Sequence, residues 1–287
     1  MTGKVSRAHG DNPAAPPLSA PVLDTGRFRY QALPVDIAVL NRRAVKSGDL
    51  DITALSLRAW LDVQDQYRLT RCGSSFGDGY GPKVVCTPEL ATRWREAKTL
   101  AIPGLTTTAF MTLSLAEREL VTTARIIEMP FDQVLTAVSS GQADAGLLIH
   151  EGQVTYTQAG MHLVLDVGAW WKDETGLPLP LGVNAVKRDV DTRFGSGSVQ
   201  DIATTLRASL DYALAHRQES LDYAMTFALA SPDGKHITHE RVDGYIDMYV
   251  SSWTIDMGDA GIAAIQTLLS RCAARGLCPQ PTRVDPV

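Results

Sequence analysis

The sequence predicts a two-lobed α/β protein with a helical C-terminal third. Three observations carry that expectation. Between about residues 36 and 190, short apolar runs of strand length alternate with segments of helical period; glycines stand at the joints; from Val199 onward the helical period continues without strand-like runs. A chain of 287 residues, 45% hydrophobic and 21% charged, is long enough to build two lobes with ordinary cores.

Composition narrows the partners. A net charge of −5 and a sequence pI near 5.7 lack the concentrated basic surface of a nucleic-acid binder. No run approaches the roughly 18 apolar residues of a membrane span, so membrane insertion is not expected either. Residues 1–22 are rich in Pro and Ala and have no apolar h-region; they read as an irregular arm and not a secretory signal, which predicts a cytoplasmic location. The expected layout is this arm, a first lobe begun by 23–97 and completed by 195–287, and a second lobe over 98–194. Cys72, Cys86, Cys272 and Cys278 form no C-x-x-C pair and no zinc-type spacing, so they read as reduced thiols with no bound metal.

Taken in order, Asp36 is an N-cap candidate for a helix through Val45, and Gly48 supplies the stop. Leu50 to Leu55 reads as a strand, Leu57 to Tyr67 as an amphipathic helix, and Lys83 to Cys86 as a strand. Between them lies GSSFGDGYGP at 73–82. It matches neither phosphate-loop template, because Gly81 is followed by Pro82 and the Gly77, Gly79, Gly81 spacing is wrong for G-x-G-x-x-G. A tight connection lining a cleft is the better reading.

Thr99 to Pro103 is the next strand, followed by a helix from Thr106 to Leu115 whose first turn is all threonine. Threonine caps helices well and fills their interiors poorly, so the run suggests either simple capping or an anion site built from free N–H groups and hydroxyls. Arg125 to Met129 and Phe131 to Ser140 continue as strand and helix. The run from Ala143 to His150 reads as a buried strand of a mostly parallel sheet, whose carboxyl edge is where open α/β sheets bind ligands. Further strands are expected at His162 to Asp166 and Gly182 to Val186; Pro178 and Pro180 argue against helix in the connection between them.

Of six histidines, five have ordinary explanations: His9 in the arm, His162 at a strand edge, His216 at a helix end, His236 and His239 flanking a turn. His150 differs because it introduces polarity at the end of a buried strand, just before Gly152. An imidazole, with an unperturbed pKa of about 6.5, suits a general base facing a cleft; a structural histidine is the competing reading. Glu151 follows it, but successive strand side chains face opposite ways.

Six stretches in family order resemble the 1,4-dihydroxy-6-naphthoate synthases, which process cyclic dehypoxanthine futalosine on the futalosine route to menaquinone. They are LNRRA at 40–44, LDITALS at 50–56, GSSFGDGYGP at 73–82, AIPG to TTAF at 101–110, ADAGLLIHEGQ at 143–153 and DVGAWWKDETGLPLPLGVN at 166–184. The resemblance implies a type II periplasmic-binding-protein-like fold and a carbon–carbon lyase that needs no cofactor and takes a small-molecule substrate. It places a proton acceptor at His150 and substrate contacts at Ala54, Leu55 and Ser56, with a further set at Thr108 and Ala109. Members of that family usually begin with a strand and a Ser-Pro-Cys-Pro-Asn-Asp-like turn, whereas this chain opens on GKV and the arm, so the usual first strand is expected to be missing. Chorismate dehydratase, of the same pathway and fold, and a non-catalytic small-anion binding protein are the rival readings; LIHEGQ and LPLPLGVN favour the synthase.

Overall fold

The computed structural model describes residues 3–7, 23–33, 35–150, 152–229, 238–281 and 284–287. His9, His236, Glu151 and most of the arm lie outside them.

The first sheet is assembled from both ends of the sequence. Strand β1 (Gly3–Arg7) pairs antiparallel with β2 (Phe28–Ala32). Helix α1 (Ile37–Lys46) follows, with the Asp36 carboxylate accepting from the Ala38 N–H at 2.7 Å as its cap. Gly48, at φ +56°, closes the turn beyond it, a left-handed position that glycine takes without strain. Then come β3 (Ile52–Ser56), α2 (Leu57–Leu61), β4 (Tyr67–Leu69) and β5 (Ser75–Gly77). The helix expected from Leu57 to Tyr67 is cut to its first half: the chain turns at Val63 to Gln66, and the Trp60 indole N–H donates to the Tyr67 carbonyl at 3.0 Å, folding β4 back onto α2.

The second sheet holds β6 (Lys83–Cys86), β7 (Thr99–Ile102), β8 (Arg125–Glu128), β9 (Ala145–Leu148) and β10 (His162–Asp166) in the order β10-β6-β9-β7-β8. Around it lie α3 (Thr108–Ala116), α4 (Arg118–Thr123), α5 (Phe131–Ser139) and the short α6 (Gly152–Thr155). Helix α5 packs directly on β9, because a Cβ at Gly146 would meet Val138 at 2.7 Å and Val134 at 2.9 Å. Helix α7 (Val167–Thr175) then leads back to β11 (Leu179–Lys187), which lies in the first sheet between β3 and β4 and also pairs with β5. The remaining helices are α8 (Val190–Phe194), α9 (Ser198–Ala215), α10 (Arg217–Leu229), α11 (His239–Tyr249), α12 (Ser252–Ile255) and α13 (Gly258–Ala274). Helices α9 and α13 pack against β11 of the first sheet.

Three expectations are corrected. The arm expected over 1–22 holds a strand at Gly3–Arg7, so the first sheet does have a strand beside β3; it runs antiparallel and meets β3 only at Gly3 and Ile52. Pairing in the second sheet is parallel only from β7 to β8 and from β7 to β9. Strands β6 and β10 carry the chain into and out of that lobe at one edge, and this forces antiparallel pairs beside them. The chain passes from the first sheet to the second at 78–82 and returns at 167–178. Finally, the prolines do not exclude helix from 168–181: α7 ends at Thr175, Gly176 at φ +69° terminates it, and Pro178 falls beyond.

The crossings are close-packed backbone. A Cβ at Gly77 or at Gly168 would lie 2.0 Å from the Tyr80 carbonyl oxygen, and one at Gly81 would lie 2.8 Å from Gly168. This is what the glycines of the 73–82 stretch do: they let two connections cross in contact. Lys83 pairs with Asp166, and Lys172 pairs with Asp78 at 2.7 Å, joining one crossing to the other. No helix among the described residues is long and apolar enough to cross a membrane.

Candidate active site between the lobes

Strand direction brings the predicted residues to one edge. Because β7, β8 and β9 run parallel, their carboxyl ends at Ile102, Glu128 and Leu148 lie side by side. Lys83 at the start of β6 stands opposite both Leu148 and Asp166, so the entry and exit of the lobe share that edge. The loops leaving it carry Thr107 to Ala109, Phe131 and His150.

The first lobe meets this edge at the end of β3. Ser56 lies opposite Gly182 of β11, and two residues on, the Arg58 N–H donates to Thr108 Oγ1 at 3.2 Å. Thr108 Oγ1 in turn donates to the Leu181 carbonyl at 2.7 Å. The start of α3 is therefore tied to the first lobe beside Ser56. The structure brings Ser56 and Thr108 together, and it sets His150 at the end of the strand next to the one that leads into Thr108.

His150 is half-buried and has φ +53°, the sole non-glycine with a left-handed φ among the described residues. β-strand β9 is buried throughout, and this turn lifts the chain out of the sheet immediately after it, so the imidazole leaves the core at the sheet edge. Its ring stands edge-on to Phe131 with centroids 4.7 Å apart and planes at 67°, while its carbonyl accepts from the Gln153 N–H at 3.1 Å. A strained backbone position of this kind costs about 1–3 kcal/mol and clusters at functional sites.

The threonines at the start of α3 divide their work differently from the sequence expectation. Thr107 is the N-cap: its hydroxyl accepts from the Phe110 N–H at 3.2 Å and donates to the Gly104 carbonyl at 2.7 Å. With Thr108 bound to Leu181, neither hydroxyl has a proton left for a ligand. The main-chain N–H groups of Thr108 and Ala109 do, since neither has a protein acceptor among the described residues. Ala109 is buried and Leu55 fully so, with its side chain in the core; Ala54 is partly exposed. Leu55 therefore presents no side chain outside the core.

Sequence reasoning missed Asn41. It sits on the buried face of α1 and makes two bonds to Ser56: Ser56 N–H to Asn41 Oδ1 at 2.9 Å, and Asn41 Nδ2 to Ser56 Oγ at 3.0 Å. The one available signal was an asparagine in the LNRRA stretch, on the face that α1 turns inward. A cavity of about 300 Å³ also opens along α3, lined by Arg58, Leu105, Phe110, Arg118 and Leu277; it shares Arg58 with the site, and Ser56, Thr108 and His150 do not line it. Among the described residues no group of three or more His, Cys, Asp or Glu is arranged to hold a metal, and the four cysteines are free thiols.

Two discontinuous α/β lobes, joined by paired crossings and with a polar edge between them, define a periplasmic-binding-protein-like fold. The aliphatic sulphonate binding protein of Escherichia coli shares it, with a TM-score of 0.55 at 12% identity over 86% of this chain and 79% of that one. The chain belongs to the menaquinone biosynthesis family, whose model matches residues 7–274. It is 37% identical over 247 residues to a 1,4-dihydroxy-6-naphthoate synthase of Thermus thermophilus, covering 86% of this chain and 85% of that one. To the Streptomyces coelicolor protein of the same name it is 34% identical over 274 residues, 95% and 88% of the two chains. A crystal structure of an Archaeoglobus fulgidus protein matches with a TM-score of 0.74 at 37% identity, covering 85% of each.

Proposed function

We propose that this chain is a cytoplasmic lyase that converts cyclic dehypoxanthine futalosine into 1,4-dihydroxy-6-naphthoate. Support comes from the named relatives and the extent of their match. The observation that carries the chemistry is His150, held in a left-handed turn at the end of β9, on the edge that also leads into Thr108 and Ala109.

In this reading His150 accepts a proton from the bound substrate, the sugar-derived fragment leaves with cleavage of a carbon–carbon bond, and aromatisation of the bicyclic ring drives the step. No redox change is involved and no cofactor is required. The Thr108 and Ala109 N–H groups, with the Ser56 hydroxyl, supply donors for the substrate carboxylate, and Ala54 and Leu55 line its seat. The protein contributes positioning, proton transfer and exclusion of water as the lobes close about their crossings.

Incubation of the purified protein with cyclic dehypoxanthine futalosine, followed by chromatography, tests the assignment. Formation of 1,4-dihydroxy-6-naphthoate is the expected result. A folded protein that binds the substrate and releases it unchanged would instead be a binding protein.

A further inference from the structure

Ser56 and Asn41 lie 15 positions apart in sequence and form a closed pair in space. The orientation of the Asn41 amide is fixed by logic as well as by geometry. A main-chain N–H can only donate, so the atom facing Ser56 N at 2.9 Å must be the carbonyl oxygen Oδ1; the amino group Nδ2 then faces Ser56 Oγ at 3.0 Å. An amide NH2 can only donate. Ser56 Oγ is therefore an acceptor toward Asn41, and its own proton must point elsewhere.

Nothing in the described protein takes that proton: among the described residues the Ser56 hydroxyl has no hydrogen-bond partner besides Asn41 Nδ2. Ser56 is 7% exposed and Asn41 2%, so bulk water does little to settle the pair either. The same geometry removes the Ser56 N–H from use by a ligand, because Asn41 Oδ1 already holds it. What Ser56 is left with at the end of β3 is one oriented O–H donor.

We infer that Asn41 is a positioning residue that fixes the Ser56 hydroxyl as a hydrogen-bond donor, so that the site selects an acceptor, the carboxylate oxygen of the substrate, at this position. This rests on the proposed function for the identity of the ligand and goes beyond it in naming what sets the polarity of the contact. An aspartate at position 41 would keep the bond from the Ser56 N–H and nearly the same shape. It would reverse the other bond, since a carboxylate accepts from the hydroxyl and draws its proton away from the cleft.

The test is a double-mutant cycle with Asn41→Asp, Ser56→Ala and the double variant. Two quantities are read: the Kd for 1,4-dihydroxy-6-naphthoate by calorimetry, and KM and kcat with cyclic dehypoxanthine futalosine. Asn41→Asp is expected to weaken naphthoate binding and raise KM about tenfold or more, the size of a lost hydrogen bond to a charged acceptor, while kcat stays within about twofold. In the Ser56→Ala background the same substitution is expected to add nothing. A purely structural role would lower the melting temperature and act equally in both backgrounds, and that additivity would overturn the inference, as would unaltered binding by a folded Asn41→Asp protein. Should the buried carboxylate prevent folding, Asn41→Ala in the two backgrounds reads the same coupling. Absence of turnover with the coupling in Kd intact overturns the proposed activity alone; turnover with additive effects overturns the role of Asn41 alone; failure of the wild type to bind the naphthoate overturns both.

Discussion

The hydroxyl of Thr108, in the first turn of α3, donates to the Leu181 carbonyl of β11 at 2.7 Å, so a helix of the second lobe starts on a strand of the first. The same oxygen accepts from the Arg58 N–H. Thr108→Val keeps the shape and leaves both groups without their partner at a site that is 2% exposed. The expected loss is about 1–3 kcal/mol of unfolding free energy, measured by urea denaturation, with Thr108→Ser close to wild type. A valine variant of unchanged stability would mean that the two lobes do not depend on this tie.

The crossings predict an asymmetry among glycines. At Gly168 a Cβ would sit 2.0 Å from the Tyr80 carbonyl, which is backbone and cannot rotate aside, whereas at Gly244, an exposed position of helix α11, it would meet nothing within 4 Å. Gly168→Ala should cost several kcal/mol or prevent folding. Gly244→Ala should gain roughly 0.5–1 kcal/mol from helix propensity alone. Melting temperatures of the two proteins check the pair, and equal shifts would contradict the close packing of the crossings.

Asp166 holds two structures at once. Its Oδ1 accepts from the N–H groups of Gly168 and Ala169 at 3.0 and 3.1 Å, capping α7, and its Oδ2 pairs with Lys83. Asp166→Asn should retain the cap through its amide oxygen and lose only the ion pair. Asp166→Ala loses both and is expected to be destabilised by about 2 kcal/mol or more. If chemical denaturation places the two variants together, the cap contributes little.

How much of this was legible in the sequence depends on whether the cause is local. The buried run ending at His150, the strands at Thr99 and Arg125, the Asp36 cap and the Gly48 stop all follow from neighbouring residues, and each lies where the pattern puts it. Strand direction did not follow, because antiparallel pairing beside β9 arises from where β6 and β10 cross between lobes. Helix α7 was hidden by reading Pro178 and Pro180 as governing the whole stretch, although Gly176 ends the helix before them. In the site, the threonine run marked the right place, while the fate of its hydroxyls is set by Gly104 and by Leu181, some seventy residues downstream. The Asn41–Ser56 pair joins a helix to a strand end, and no spacing in the chain announces it.

In the proposed reaction His150 removes the proton. Asparagine tolerates left-handed backbone and has no basic nitrogen, so His150→Asn isolates the imidazole from the turn that holds it. Initial rates of 1,4-dihydroxy-6-naphthoate formation should be compared for wild type and His150→Asn at matched melting temperature and saturating cyclic dehypoxanthine futalosine. Product is expected from the wild type, with a rate lower by roughly a hundredfold or more in the variant. A folded His150→Asn protein that turns over at the wild-type rate would contradict that role.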